Sequence, residues 1–165
     1  MSIERINIRE INEKDLNQVV ELIVRLKSVN EELDPNFKVV SNIYEVVTNY
    51  VKESINNDKV VLLVAEDEND KTIAGIIRFI IIDRLFYEPR IKAEITDFYV
   101  KPIYRRKKLG VTLLQKAMEY AKLKGAGILT AIYPSGNEIA DSFYDKQGFI
   151  PLNKEKYKTC IWFLK

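Results

Sequence analysis

Histidine is missing from all 165 residues. That removes His-based triads, His-ligated zinc and imidazole general bases, and no metal site is expected. Cysteine occurs once, at Cys160 in an apolar terminal stretch, so no internal disulfide forms and a reducing, cytoplasmic setting is expected. Neither charge dominates: 26 basic residues against 24 acidic ones give a formal +2, too balanced to point to nucleic acid or a membrane surface. Long apolar runs are also lacking. The most apolar stretch, Gly75 to Ile82, is short and interrupted by Arg78, so no membrane-spanning segment is expected. Met1-Ser2-Ile3-Glu4-Arg5 puts charge where a signal peptide would need its apolar segment. A serine hydrolase lacks its Gly-x-Ser-x-Gly elbow and a base partner. No linker rich in glycine, serine or proline divides the chain, and a single domain over residues 1–165 is expected.

What is present is a half-apolar chain, 47% hydrophobic and 30% charged, of a length that supports a real core. Ile6 and Ile8 alternate with Arg5, Asn7 and Arg9, the pattern of a half-buried strand. Asn12 then caps a helix, with Asp15 near its start and Leu16, Val19, Val20, Ile23 and Leu26 at helical spacing to about Val29. Asp34-Pro35-Asn36 breaks the pattern. Ser41 is expected to cap a second helix carrying Val47, Tyr50 and Val51 on one face. Strands follow over Lys59 to Ala65, Thr72 to Ile82 and about Lys92 to Val100, the first two joined by the polar turn Asp67 to Lys71. Leu109, Leu113, Leu114, Ala117 and Ala121 form a buried helical stripe ending near Gly125. A short strand over Ile128 to Tyr133 precedes a helix from Asn137 to Gly148, and two final strands are expected at about Phe149 to Leu152 and Tyr157 to Leu164. The order β-α-α-β-β-β-α-β-α-β-β predicts an α/β (α+β) fold with a mixed, mostly antiparallel sheet of about seven strands and helices on both faces.

The stretch that carries chemistry runs from Asp97 to Leu114. A strand ends, a basic loop of Arg105, Arg106, Lys107 and Lys108 follows, and a helix begins at once. The first amides of a helix have no internal partner and sit at its positive end, so such a turn binds phosphate. Gly110 permits close backbone approach, and the Thr112 hydroxyl is a further hydrogen-bonding group.

These residues resemble the GCN5-related N-acetyltransferases (GNAT). Val100-Lys101-Pro102-Ile103-Tyr104-Arg105 is similar to the family's Val-x-Pro-x-Tyr-Arg, and Arg105 to Gly110 to its Arg/Gln-x-x-Gly-x-Gly/Ala, with Lys108 standing where the first glycine falls. A second block, Asn137, Ala140, Phe143, Tyr144, Gly148 and Phe149, matches Asn-x-x-Ala-x-x-Phe-Tyr-x-x-x-Gly-Phe.

The resemblance implies acetyl-CoA as cofactor and acyl transfer to a primary amine: a polyamine, another small amine, or a protein N-terminus or lysine. It implies that amides of Arg106, Lys107, Lys108, Leu109, Gly110 and Val111, with Thr112 and Arg105, hold the pyrophosphate. The pantetheine arm would pair with Phe98, Tyr99 and Val100 as an added strand and meet Asn137 and Phe143. Tyr144 would protonate the departing thiolate, and Glu94 or Asp97 would take the amine's proton. Strict alternation puts Glu94, Thr96 and Phe98 on one face and Asp97 and Tyr99 on the other. Glu31, Glu32, Asp34 and Phe37 would border the acceptor site. The same motifs also suit an acyl-CoA sensor without turnover. No nucleic-acid or membrane partner is expected, and both monomer and homodimer stay open.

Overall fold

Five strands lie side by side in chain order: β1 (Ile6–Glu10), β2 (Val60–Asp67), β3 (Ile73–Asp83), β4 (Ile91–Val100) and β5 (Ile128–Ala131). The structure is a computed structural model and describes residues 5–152. β1 to β4 pair antiparallel and β4 pairs β5 in parallel. Parallel strands need a crossover, which helix α3 (Leu109–Leu123) supplies.

Helices cover both faces, as the patterning predicts. On one face α1 (Leu16–Leu33) and α2 (Ile43–Ile55) bury Val19, Ile23 and Val51 against Leu62, Val64 and Ile76 of the sheet. On the other, α3 buries Leu113, Leu114 and Ala117 against Leu63, Ala65, Ile77 and Phe79. Helix α4 (Glu138–Lys146) adds Tyr144 to that second layer. The strands buried on both faces read as continuous apolar runs for this reason.

The local signals act as their chemistry requires. Asn12 and Asp15 form a reciprocal capping box, so a 3-10 turn over Glu13–Asp15 runs straight into α1. α1 continues past Val29 to Leu33, where Asp34, held extended before Pro35, stops it. The second helix is capped one residue later than expected: Asn42, not Ser41, occupies the N-cap, without a side-chain bond.

Two expectations change at the C-terminal end. Residues 149–152 form no strand. Gly148 (φ +83°) closes α4, its amide bonding Asp145 O while the Phe149 amide bonds Tyr144 O. This left-handed helix stop consumes the amide a ladder would need. The strand expected at Tyr157 to Leu164 falls outside the described residues. No described helix is long and apolar enough to cross a membrane.

Candidate functional site

β4 and β5 pair from Lys92↔Ile128 to Ile95↔Ala131, and there they part. Beyond that point, residues 96–100 of β4 have no strand partner on their outer edge among the described residues. A cavity of about 250 Å³ opens at the divergence, lined by Lys27 and Asn30 of α1, Phe37, Glu94, Ile95 and Thr96 of β4, and Ile132, Tyr133 and Pro134 after β5.

A bulge in β4 decides which side chains face this cavity. Arg78 lies opposite Asp97 while the next residue, Phe79, lies opposite Ile95, so Thr96 is an inserted residue. The insertion corrects the strict alternation. Glu94 and Thr96 line the cavity beside α1, and Asp97 and Tyr99 face the same α1/α2 layer. Phe98 alone of that set turns to the α3/α4 layer.

Asp97 is fully buried and anchors a polar network. Its Oδ2 accepts from the Tyr50 hydroxyl (2.6 Å) and from Thr96 Oγ1 (3.0 Å). Its Oδ1 has no aligned hydrogen bond among the described residues, and its charge is balanced by Lys27 Nζ at 2.6 Å. Arg78 closes the network through Ser54 Oγ (2.9 Å) and Thr96 Oγ1 (2.8 Å), its guanidinium 3.9 Å from the Tyr50 ring centre. Burial, and then the Asp97 charge, push the Tyr50 phenol well above its usual range. Glu94 is partly exposed to the cavity, paired with Lys92 (2.6 Å) and accepting from Thr130 (3.3 Å).

On the opposite layer Tyr144 sits among aromatic rings. It stacks on Tyr133 and meets Phe143, Phe149 and Phe98 edge-on or tilted at 5.0–6.4 Å between ring centres. Its hydroxyl has no hydrogen bond among the described residues. Burial, with Tyr133 adding to it, raises the phenol pKa above its ordinary 10.0, so the group stays protonated. Phe143 also packs on Phe98 (5.4 Å), and a Cβ on Gly110 would come within 3.4 Å of the Phe143 ring. A small residue at 110 therefore lets the start of α3 approach α4.

The basic loop leads directly into α3. Arg105, Arg106 and Lys108 are exposed and Lys107 is half-buried. Arg106 and Lys108 are both left-handed, each with φ of 61°. Lys108 is the N-cap of α3 and makes no side-chain cap, leaving the first amides of the helix without that partner. Its left-handed backbone explains why glycine suits this position in the motif. Two of the loop's groups are already engaged. Arg105 Nε donates to the Val100 carbonyl (2.8 Å), and the Thr112 hydroxyl donates to the Lys108 carbonyl (3.1 Å). Asn137 is the N-cap of α4, its Oδ1 accepting from the Ala140 amide (3.0 Å).

Of the acidic stretch running from the last turn of α1 to Phe37, Phe37 reaches the cavity wall, while the acids make local bonds. Glu31 accepts from the Val39 amide, Glu32 faces Arg25 at the surface, and Asp34 caps the turn at Asn36. In their place α1 contributes Asn30, at the start of the segment expected to border the site but with no role assigned, and Lys27, which no expectation covered. Three residues apart on the polar side of a helix, they carry a spacing signal indistinguishable from that of a solvated face.

The model of the acetyltransferase (GNAT) family matches residues 26–149, three quarters of the chain, and includes both motif blocks. The chain belongs to the GNAT family. It is 28% identical over 116 residues to spermidine N(1)-acetyltransferase of Thermoplasma acidophilum, covering 64% of this chain and 68% of that protein. Among solved structures, a predicted acetyltransferase from Clostridium acetobutylicum, crystallised with acetyl-CoA, superposes with a TM-score of 0.75. The two share 20% identity, over 93% of this chain and 96% of that one. The aminoglycoside 6'-N-acetyltransferase AAC(6')-IG of Acinetobacter haemolyticus gives 0.72 at 17% identity, over 96% and 97%. At these identities the structural likenesses establish the GNAT fold. Five of the expected seven strands are described; of the other two, residues 149–152 form none and Tyr157 to Leu164 falls outside the described residues.

Proposed function

We propose that this GNAT chain transfers the acetyl group of acetyl-CoA to a primary amine. The observation that carries the reading is the parting of β4 and β5 after Ile95 and Ala131. It leaves a strand edge with no strand partner among the described residues, between the basic start of α3 and a small cavity. The residues present fit the cofactor. The amides of Arg106 to Val111, with the exposed cations around them, suit a diphosphate. The edge of Phe98 to Val100 suits an amide-bearing arm that adds as a strand, with Asn137 Nδ2 and the Phe143 ring beside it. Arg105 must then share or release the Val100 carbonyl, and the Thr112 hydroxyl the carbonyl of Lys108.

Bound acetyl-CoA supplies an acyl group activated as a thioester. The chain's residues manage two protons. An alkylammonium has a pKa of about 10 and must lose a proton before its nitrogen can attack. Glu94, at the cavity wall, accepts that proton through solvent. As the N–C bond formed and the C–S bond broke, Tyr144 would donate its hydroxyl proton to the departing sulfur, and the proton the nitrogen sheds on becoming an amide would pass through solvent to restore the phenol. Asp97, with both oxygens engaged, holds Lys27 in place instead of moving protons. The Thermoplasma relative, named for spermidine, supports an amine as acceptor.

Calorimetric titration with coenzyme A, followed by thiol release from acetyl-CoA with an amine panel, tests the reading. Binding with release upholds it. Binding without release to any amine identifies an acyl-CoA sensor, and no binding removes the reading altogether.

A further inference from the structure

The charge of the cavity wall argues against a polycation. Among its described lining residues, Lys27 carries the positive charge and Glu94 the negative, and each is already paired, with Asp97 and Lys92. The acids that would attract a polyamine, Glu31, Glu32 and Asp34, are absent from the lining. A second ammonium on the acceptor would meet Lys27 as a like charge.

Lys27 is well placed to recognise an anion. Its side chain is 33% exposed while that of Asp97 behind it is 0% exposed, so the carboxylate fixes the ammonium from the buried side. An ammonium has three donors, which leaves others for the cavity. Asn30, one turn further along α1, adds an amide to the same wall. A carboxylate reaching this wall would accept a charge-assisted hydrogen bond from the ammonium. Glu94 lies across on β4, near the divergence of β4 and β5, where a reacting amine belongs. At about 250 Å³ the cavity is smaller than the roughly 300–1,000 Å³ of pockets for drug-sized ligands.

We infer that the cavity selects a small amine that also bears a carboxylate, an acceptor of the amino-acid class, with Lys27 and Asn30 holding the carboxylate and Glu94 the ammonium. The inference rests on the acetyltransferase reading and narrows its acceptor.

Matched acceptors test it. 4-Aminobutyrate, butylamine and putrescine share four carbons and end in a carboxylate, a methyl and a second ammonium; glycine and ethylamine form a shorter pair, and spermidine is added. With acetyl-CoA and thiol release as readout, a carboxylate-bearing acceptor exceeds its methyl partner by about tenfold in kcat/KM, the size of one charged hydrogen bond. Lys27→Gln, which keeps a donor toward Asp97, removes that preference by raising KM, and Lys27→Arg retains it. Putrescine or spermidine outrunning both amino acids overturns the inference, as does a preference unchanged by Lys27→Gln. Should that variant fail to fold, the acceptor comparison on the unaltered protein decides. Failure of the acetyltransferase reading shows separately, as no thiol release with any amine. The same compounds are then titrated as ligands in the presence of coenzyme A. Heat from an amino acid and none from putrescine upholds the inference; the reverse, or no heat from any, overturns it.

Discussion

The rings of Tyr133 and Tyr144 lie stacked, 5.3 Å between centres and 14° from parallel. Tyr133 is fixed from outside by its hydroxyl bond to Asp141 (3.0 Å), and it also lines the cavity. The stack therefore ties the proposed proton donor to the acceptor wall. Tyr144→Phe keeps the ring and its packing and removes the proton. Turnover is expected to fall about 100-fold, within the usual contribution of a positioned acid, while coenzyme A affinity stays within about twofold by calorimetry. Full activity in that variant would remove Tyr144 from the reaction.

The pH profile follows from the same residue. Burial, with Tyr133, disfavours the phenolate and lifts Tyr144 above 10.0. The donor thus stays protonated while the acceptor amine loses its proton with rising pH. kcat/KM is expected to climb to about pH 9 with no alkaline decline from the phenol. A decline below that pH, absent in Tyr144→Phe, would show that the phenol ionises early.

Lys108 holds a left-handed backbone where the family motif has glycine. That conformation costs a side-chain-bearing residue roughly 1–2 kcal/mol. Lys108→Gly is expected to unfold at a urea midpoint equal to or above that of the parent, despite the added freedom of glycine in the unfolded chain. Affinity for coenzyme A is expected to fall a few-fold through loss of the counter-charge. Lys108→Val, β-branched at positive φ, should lower the midpoint clearly.

Acid stability should centre on Arg9. It donates to both oxygens of Asp15 (2.6 and 2.9 Å) and pairs with Glu66. Burial works against the charged form of Asp15, but Arg9 and the Asn12 amide outweigh it and hold the carboxyl below 3.8. Arg9, more than Lys71, likewise lowers Glu66 below 4.5. Depressed carboxylates stabilise the fold above their unfolded pKa, and this contribution is lost as pH falls through the folded values. Urea midpoints are therefore expected to be flat from neutral pH to about 5 and to drop below about 4. Arg9→Gln should lower the unfolding free energy at neutral pH by about 1 kcal/mol, since Arg9 is partly exposed to screening solvent, and flatten the acid drop. An unchanged acid slope would contradict the assignment.

The sheet and its helices were legible because apolar spacing reports burial directly. The α3 stripe Leu109, Leu113, Leu114, Ala117 and Ala121 and the N-cap at Asn12 stand as read. The motif around Arg105 to Gly110 and the Asn137 to Phe149 block gave the family. Three features were hidden. The inserted Thr96 leaves no trace in residue type, so alternation assigned Asp97 to the face away from Glu94. Lys27 and Asn30 look like solvent-facing helix residues until β4 and β5 part in front of them. Phe149 looks like a strand opening, yet its amide and ring are both committed to ending α4.

Mass spectrometry of a primary-amine panel incubated with the protein and acetyl-CoA tests the central claim most directly. A gain of one acetyl group on at least one amine, with a matching amount of free thiol and loss of both signals without protein, is the predicted result. Intact amines throughout, under conditions where coenzyme A binds, would contradict it.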